Sequence, residues 1–168
     1  MPFRPRPPSI VACAAFALTV AVAVAGTGCD GNSGVIDSGE PNPYDEAAEL
    51  CVDAINDHRA SVGLAPYSRW LDAEDCSNGQ AKSDAATGAA HGAFGTCGES
   101  AQNECPGWAG PPEAMIGDCL SLMWSEGPGD DFTTHGHYIN MTSTAYTTVS
   151  CGFFVTESGA VWSVQNFK

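Results

Sequence analysis

Basic residues are scarce in this sequence, which has six Lys and Arg residues against 20 Asp and Glu residues and a formal net charge of −14. Two of the basic residues, Arg4 and Arg6, precede Cys29, whereas every acidic residue follows it. A chain that begins at Cys29 therefore has four basic and 20 acidic residues, a net charge of −16. Such a surface repels nucleic-acid phosphates and anionic lipids, so we expect no nucleic-acid partner and no membrane attachment except through an anchor.

Several motifs of hydrolases and nucleotide-binding proteins are also missing. The sequence has no Gly-x-Ser-x-Gly elbow, no His-Glu-x-x-His zinc motif and no phosphate-binding loop. It has no Cys-x-x-Cys pair either, so a structural zinc site made of thiolates is not expected. The chemistry of this chain must therefore be sought in other residues.

The N-terminus has the composition of a secretory signal. Two arginines precede a mostly apolar run at residues 10–25, which is short for a membrane-spanning helix and ends in small side chains. The segment Gly26-Thr27-Gly28-Cys29 resembles the cleavage box of bacterial lipoproteins, with Gly26 in place of an aliphatic residue. We therefore predict a signal peptide at residues 1–28 and lipidation of Cys29. Cleavage after Ala25, which would give a secreted protein, is the alternative.

Cysteine parity favours the lipoprotein interpretation. Cleavage after Ala25 would leave seven of the eight cysteines and strand one thiol in an oxidising compartment. Acylation of Cys29 leaves six cysteines, enough for three disulfides: Cys51, Cys76, Cys97, Cys105, Cys119 and Cys151. Because Cys97 and Cys105 are close in sequence across a loop, we predict that they form a local disulfide. The pairing of the other four stays open.

The rest of the chain divides into a tether and one domain. Residues 29–43 are polar and rich in Gly, Pro and Ser, which predicts a flexible tether, and the folded domain is expected at residues 44–168. Residue patterns predict these elements: a helix capped by Asn42 that stops at Gly63, a helix from Asp72 towards Gly88, a helix opened by Pro111-Pro112, and strands at 147–156 and 160–167. Residues 88–110 are too Gly-rich to assign. This order of elements predicts an α+β or layered architecture.

Two histidines and two glutamates lie in Gly-rich segments typical of a cleft built from loops: His91, Glu99, Glu126 and His137. Two imidazoles and two carboxylates can bind a divalent cation such as Zn, or carry out general acid–base chemistry. His135 lies two residues from His137, on the same side if the segment is extended, which makes it a possible extra ligand. His58 lies on the inward stripe of the first helix and is interpreted as a packed histidine.

Four motifs occur in order along the domain: Ala54-Ile55-Asn56-Asp57-His58-Arg59 followed by Trp70; Cys97-Gly98-Glu99-Ser100-Ala101; Trp124-Ser125-Glu126; and Gly136-His137-Tyr138-Ile139-Asn140-Met141 with Val149-Ser150-Cys151-Gly152. Together they resemble the CAP superfamily of cysteine-rich secretory proteins, antigen 5 and plant pathogenesis-related 1 proteins. In its Asn and Met, the last motif resembles the bacterial form. Ser100 stands in place of the Asn of the family's Gly-Glu-Asn motif.

The resemblance implies a disulfide-stapled, three-layer α-β-α sandwich. It also implies a central cleft that holds His91, Glu99, Glu126 and His137. Many eukaryotic members carry a cysteine in the last strand, where Val164-Gln165-Asn166 stands here. The family's disulfide pattern is therefore not transferred to this chain.

Three functions are compatible with this resemblance. The first is a monomeric, extracytoplasmic binding module, lipid-anchored to the cell envelope, whose cleft takes a divalent cation and/or a small apolar or peptide ligand. The second is a metal-assisted hydrolase or peptidase that uses the same four residues to activate water. The third is a structural or adhesion protein at the cell surface. Because no nucleophile is recognisable, we rank the binding module first.

Overall fold

The computed structural model describes residues 41–168, so the predicted signal peptide and the predicted lipidation site at Cys29 lie outside the described residues. The elements in that range are α1 (Asp45–Ser61), β1 (Ser68–Arg69), a 3-10 helix (Leu71–Ala73), α2 (Glu74–Thr87), β2 (Ala101–Ala109), α3 (Pro112–Trp124), α4 (Phe132–Thr142), β3 (Thr148–Val155) and β4 (Ala160–Phe167). None of these helices is long and apolar enough to cross a membrane.

The four strands form one sheet in the order β1-β3-β4-β2. The short β1 pairs with β3 in parallel, whereas β3–β4 and β4–β2 are antiparallel. The β3–β4 hairpin turns at Gly159, whose φ of 83° suits glycine because it has no Cβ. A β-bulge between Cys105 and Trp108 interrupts the pairing of β2 with β4. β2 is therefore an edge strand whose first half is regular and whose second half is irregular.

The two faces of the sheet differ in polarity because side chains alternate along each strand. Val149, Cys151 and Phe153 of β3 join the hydrophobic core, which includes buried residues of α1 and α3. Ser150, between them, faces α2, where its hydroxyl lies 2.8 Å from that of Ser77. The helix α2 thus covers one face through polar contacts, and α1, α3 and α4 cover the other. This arrangement confirms the predicted α+β class and the three-layer α-β-α sandwich.

Most predicted elements are present with shifted ends. The first helix begins at Asp45 and not beside Asn42, because the Asn42 carbonyl and side chain accept hydrogen bonds in the turn before it. A 3-10 helix precedes α2, so Asp72 does not cap it. α2 ends at Thr87 with Gly88 as its C-cap, in agreement with the predicted end. The third helix and both C-terminal strands agree with prediction. β2 and α4 were not predicted from the sequence.

Residues 41–168 contain three disulfides, as predicted, but the predicted Cys97–Cys105 pair is wrong. The bonds are Cys51–Cys151, Cys76–Cys97 and Cys105–Cys119. The side chain of Cys105 belongs to the core between the sheet and α3, where it meets Cys119. Cys97 lies in the loop that follows α2, next to Cys76 of that helix. Two cysteines close in sequence are therefore separated by the sheet. The bond Cys51–Cys151 spans 100 residues, for which chain entropy gives about 4–5 kcal/mol of stabilisation.

Candidate functional site

A cavity in the described domain lies between the loop after α2, the start of β2 and α4. Its volume is about 330 Å³, and it is lined by Phe94, Ala101, Phe132 and Tyr146 together with His91, Ser100, Gln102 and Asn140. Phe94 and Phe132 are 49% and 61% exposed, so both rings stand at the mouth. The cavity is thus mainly apolar, with a few polar groups among its walls, which is the usual composition of a small-molecule site.

A smaller cavity of about 120 Å³ adjoins the first and is polar. Both cavities share the wall formed by His91, Gln102, Phe132 and Asn140, and the smaller one adds Glu126, Thr133, Gly136 and His137. Three of the four predicted site residues, His91, Glu126 and His137, therefore line the same cavity. We call the two cavities together the cleft.

Glu126 and His137 form a tightly bonded pair. Glu126 lies in the turn after α3, and His137 lies on α4, which begins at an Asp131 cap that accepts from the Thr133 N–H. One carboxylate oxygen of Glu126 lies 2.5 Å from His137 Nδ1, and the other accepts the main-chain N–H of His137 at 3.0 Å. Because a carboxylate accepts, His137 Nδ1 carries the proton of this bond. In the neutral imidazole, Nε2 then has the lone pair.

Glu99, the fourth predicted residue, does not line either cavity. It is 8% exposed, and its carboxylate accepts from the Gly95 and Cys97 N–H groups at 2.5 and 3.0 Å. It also accepts from Gln80 Nε2 at 2.6 Å. Three donors therefore occupy the Glu99 oxygens, and the residue holds the loop that carries His91 to α2. Its predicted place beside the other three side chains is wrong.

Buried amides connect Glu99 to His91 across α2 and the sheet. Gln80 Oε1 accepts from Asn166 Nδ2 at 2.6 Å and from Gln102 Nε2 at 3.2 Å. Gln102 Nε2 also donates to Asn166 Oδ1 at 3.0 Å. Gln102 Oε1 lies 2.9 Å from His91 Nδ1. A chain of hydrogen bonds therefore runs from the Glu99 carboxylate to the cleft histidine.

This chain fixes the tautomer of His91. The Glu99 carboxylate and the Ala93 carbonyl only accept, so the Gln80 atom that faces them is the donor Nε2. Gln80 Oε1 can only accept, so Gln102 faces it with its donor Nε2. Gln102 Oε1 therefore faces His91. His91 Nδ1 must carry a proton, and in the neutral imidazole Nε2 then has the lone pair. Both cleft histidines thus have Nδ1 bonded to protein, and in the described residues no hydrogen bond involves either Nε2.

Two further carboxylates, not predicted from the sequence, hold the His91 loop. The His91 N–H donates to Glu104 of β2, and the Ala93 N–H donates to Asp84 Oδ1 at 2.8 Å. Burial raises the pKa of both Asp84 and Glu104. His91 has a φ of 59°, a left-handed conformation that a non-glycine residue adopts only when its surroundings hold it. Asp84 and Glu104 provide this restraint.

The two other described histidines are not cleft ligands. The segment with His135 and His137 is helical rather than extended, so residues two apart point in different directions. His135 Nδ1 instead faces the main-chain carbonyls of Glu126 and Gly127 at 2.8 and 3.1 Å. His58 stacks on Trp124, with 4.8 Å between the ring centres, which agrees with a packing role. Within residues 41–168, no group of three or more His, Cys, Asp or Glu side chains is placed to hold a metal ion.

Comparisons with known proteins agree with this architecture. A family model described as the CAP, cysteine-rich secretory protein family, matches residues 52–167. The chain belongs to this family. The fold of this CAP domain is similar to the crystal structures of Na-ASP-1, with a TM-score of 0.53, and of hookworm platelet inhibitor, with a TM-score of 0.54, each at 14% sequence identity.

The similarities extend over most of this chain but over less than half of Na-ASP-1. The alignments cover 73% of this chain and 38% of Na-ASP-1, and 77% of this chain and 72% of hookworm platelet inhibitor. At this identity they show the fold alone. No curated protein sequence matches the chain. CAP membership and three disulfides indicate an extracellular protein. The bacterial lipoprotein form and the acylation of Cys29 stay predictions.

The CAP cleft depends on polar residues that sequence reasoning missed. Gln102 and Glu104 lie two residues apart on β2, and both face α2. If β2 had been assigned as a strand, the alternation of side chains would have placed these two on the same face. Gln80 and Asn166 have no such signal, because a lone buried amide on a helix or strand resembles a surface residue in sequence. Their importance follows only from the contacts across the sheet.

Proposed function

We propose that this extracellular CAP domain is a binding module whose cleft takes a small apolar or peptide ligand. The observation that supports this function is the adjoining pair of cavities, the larger one mainly apolar and the smaller one polar. An apolar group that leaves water for the larger cavity gains about 25 cal/mol for each Å² buried, and polar groups at the boundary orient it. Exposed aromatic side chains at the mouth extend the contact area.

A divalent cation such as Zn is a second occupant that we propose for the smaller cavity. The tautomers of His91 and His137 favour it, because metal binding requires an unprotonated ring nitrogen oriented by a bond at the other nitrogen. Gln102 and Glu126 would provide these orienting bonds. With only these two side chains as protein ligands, water or an organic ligand would complete the coordination.

The test of the binding function uses 2-phenylethanol, a small neutral probe with one aromatic ring and one polar end. Titration followed by amide chemical shifts should move signals of His91, Phe94, Ala101 and Asn140. Phe132→Ala should weaken binding about tenfold, because it removes an aromatic wall of the cavity. Leu71→Ala is the matched control, since Leu71 and Phe132 are 62% and 61% exposed and Leu71 lines none of the cavities described.

Two results would contradict the proposed function. One is the absence of saturable shifts around the cleft at millimolar probe concentrations. The other is equal affinity of Phe132→Ala and the unaltered protein, since the probe would then bind elsewhere. Equal affinity of Leu71→Ala and the unaltered protein is the expected control result.

A further inference from the structure

We infer that the smaller cavity recognises a positively charged nitrogen, an ammonium or guanidinium group, on a ligand whose apolar body fills the larger cavity. This inference rests on the proposed function, because it assigns the chemistry of the ligand's polar end. It follows from the direction of the hydrogen bonds around the smaller cavity and from the distribution of charge in the domain.

Three polar residues that line the smaller cavity, His91, Glu126 and His137, have acceptor atoms. His91 and His137 each have Nδ1 bonded to protein, which leaves the Nε2 lone pairs of the neutral rings as acceptors. Glu126 adds a carboxylate that accepts from His137 and from the Tyr138 N–H at 3.3 Å. Unlike Glu99, it keeps 25% of its side chain exposed, so a ligand can still reach its oxygens. A ligand group that satisfies these atoms must donate hydrogen bonds.

The side-chain donors on the same walls are already used within the protein. Gln102 Nε2 donates to Gln80 and Asn166, as described above. Asn140 Nδ2 donates to the Gln102 carbonyl at 3.3 Å and to Asn103 Oδ1 at 2.9 Å. At the start of α4, the N–H and the hydroxyl of Thr133 both donate to Asp131 Oδ1, at 2.9 and 2.8 Å. An anionic or purely accepting ligand therefore finds no unengaged side-chain donor among these residues.

No basic side chain of residues 41–168 lines either cavity. Arg59 is buried and donates to main-chain carbonyls, and Arg69 is paired with Asp45 and Glu74. The ammonium groups of Lys82 and Lys168 lie 5.9 and 4.8 Å from the ring centres of Phe154 and Trp70. Because the chain has a net charge of −14, its field attracts cations and repels anions.

The wall shared by the two cavities also suits a cation. Phe132 lines both, and Phe94 and Tyr146 line the larger one. The faces of aromatic rings attract ammonium and guanidinium groups, and their area also packs against an apolar body. An apolar amine would therefore place its charged nitrogen beside Glu126 and the histidines, and its hydrocarbon part among the aromatic rings.

The experiment compares three probes that share one phenyl ring and differ at the polar end: 2-phenylethylamine, 2-phenylethanol and 3-phenylpropionate. Each is titrated into the folded, oxidised protein at pH 8, above the usual titration range of imidazole, with a chelator present to remove metal ions. The amine should bind about tenfold more tightly than the alcohol, because its hydrogen bonds are charge-assisted, and the propionate should bind most weakly.

Variants separate the cavity from the general acidity of the domain. Glu126→Gln should bring the affinity of the amine to within about twofold of that of the alcohol while alcohol binding persists, which also shows that the variant is folded. Glu113→Gln, which removes the same charge from an exposed position on α3, should keep the preference for the amine.

Each other outcome has a distinct meaning. Equal binding of the alcohol and the amine, or tightest binding of the propionate, overturns this inference and leaves the proposed function standing. A preference for the amine that persists in Glu126→Gln also overturns it, because the general acidity of the surface would then be the cause. Absence of binding by all three probes overturns the proposed function itself. If Glu126→Gln fails to fold, the comparison on the unaltered protein still overturns the inference whenever the amine binds no more tightly than the alcohol.

Discussion

Replacing Gly152 by alanine should disturb the packing of α2 on the sheet and, through it, the cleft. A Cβ at Gly152 of β3 would lie 2.1 Å from the carbonyl carbon of Ser77, 2.4 Å from its oxygen and 2.5 Å from the Asn78 nitrogen. All three atoms belong to the backbone of α2, so no side-chain rotation relieves the clash. An ordinary contact of 3.4 Å requires the helix to move away by about 1.3 Å.

The cost of this movement can be estimated from the bonds that it breaks. The Ser77–Ser150 hydroxyl contact and the Phe153 N–H bond to Asn78 Oδ1 are both 2.8 Å long, and a shift of that size lengthens them beyond hydrogen-bonding range. Overpacking costs about 1–3 kcal/mol, and each lost bond about 1 kcal/mol. We therefore expect Gly152→Ala to lower the free energy of unfolding by about 3–5 kcal/mol, a large fraction of the total for one domain.

Urea unfolding of the oxidised protein, followed by tryptophan fluorescence, measures this change. The matched control is Gly79→Ala on α2, where a Cβ meets no heavy atom within 4 Å and should raise stability by about 0.5–1 kcal/mol. Because α2 carries Gln80, Gly152→Ala should also broaden the amide signals around His91. A loss of less than 1 kcal/mol for Gly152→Ala would refute the argument, because the helix would then not be seated as tightly as the distances indicate.

Two further predictions concern buried charges. Burial raises the pKa of Glu104, so the folded state binds the carboxyl proton more tightly than the unfolded chain does. The stability that this proton binding contributes is lost as pH rises through the pKa of the folded state. Glu104→Gln should therefore gain stability relative to the unaltered protein as pH rises above about 4.5, the ordinary pKa of a glutamate. Urea unfolding across pH with exposed Glu157→Gln as control would show this gain; a constant difference across pH would contradict it. Arg59 donates to the carbonyls of Ala65, Met141 and Ser143 at 2.7–3.0 Å. Arg59→Lys should lower the free energy of unfolding by about 2–3 kcal/mol, because one ammonium group cannot reproduce the planar fork; a loss below 0.5 kcal/mol in urea unfolding would contradict this.

Local signals in the sequence were sufficient for much of the fold. The apolar stripe of α1 buries Ala47, Cys51 and Ile55 as its spacing predicts, and Gly88 ends α2 in a left-handed conformation. Pro112 opens α3, and β-branched and aromatic residues form the C-terminal hairpin. Each of these elements follows from a residue pattern that lies within the element itself. The four ordered motifs predicted the CAP fold.

Elements in Gly-rich or polar sequence could not be assigned in the same way. β2 contains Gln102, Asn103 and Glu104 in a row, so its sequence lacks the alternation of apolar and polar residues that marks a strand. These residues are buried because α2 covers one face of the strand, where Gln102 donates to Gln80, and α4 covers the other, where Asn140 donates to Asn103. Similarly, the sequence of α4 does not indicate a helix, because it contains Gly136 and follows a loop. The helix is stabilised by the Asp131 cap and by packing.

By itself, the sequence identified three residues that line the cleft, His91, Glu126 and His137, and it assigned Glu99 to the cleft as well. Only the tertiary structure decided that Glu126 bonds His137, that Glu99 restrains a loop instead, and that Cys97 and Cys105 bond different partners. The physical reason is that the sheet separates residues that are neighbours in the chain, while hydrogen bonds across it join residues far apart in sequence. The tautomer of His91 depends on Gln80, Gln102 and Asn166, three amides brought together from a helix and two strands, and no local pattern encodes that meeting.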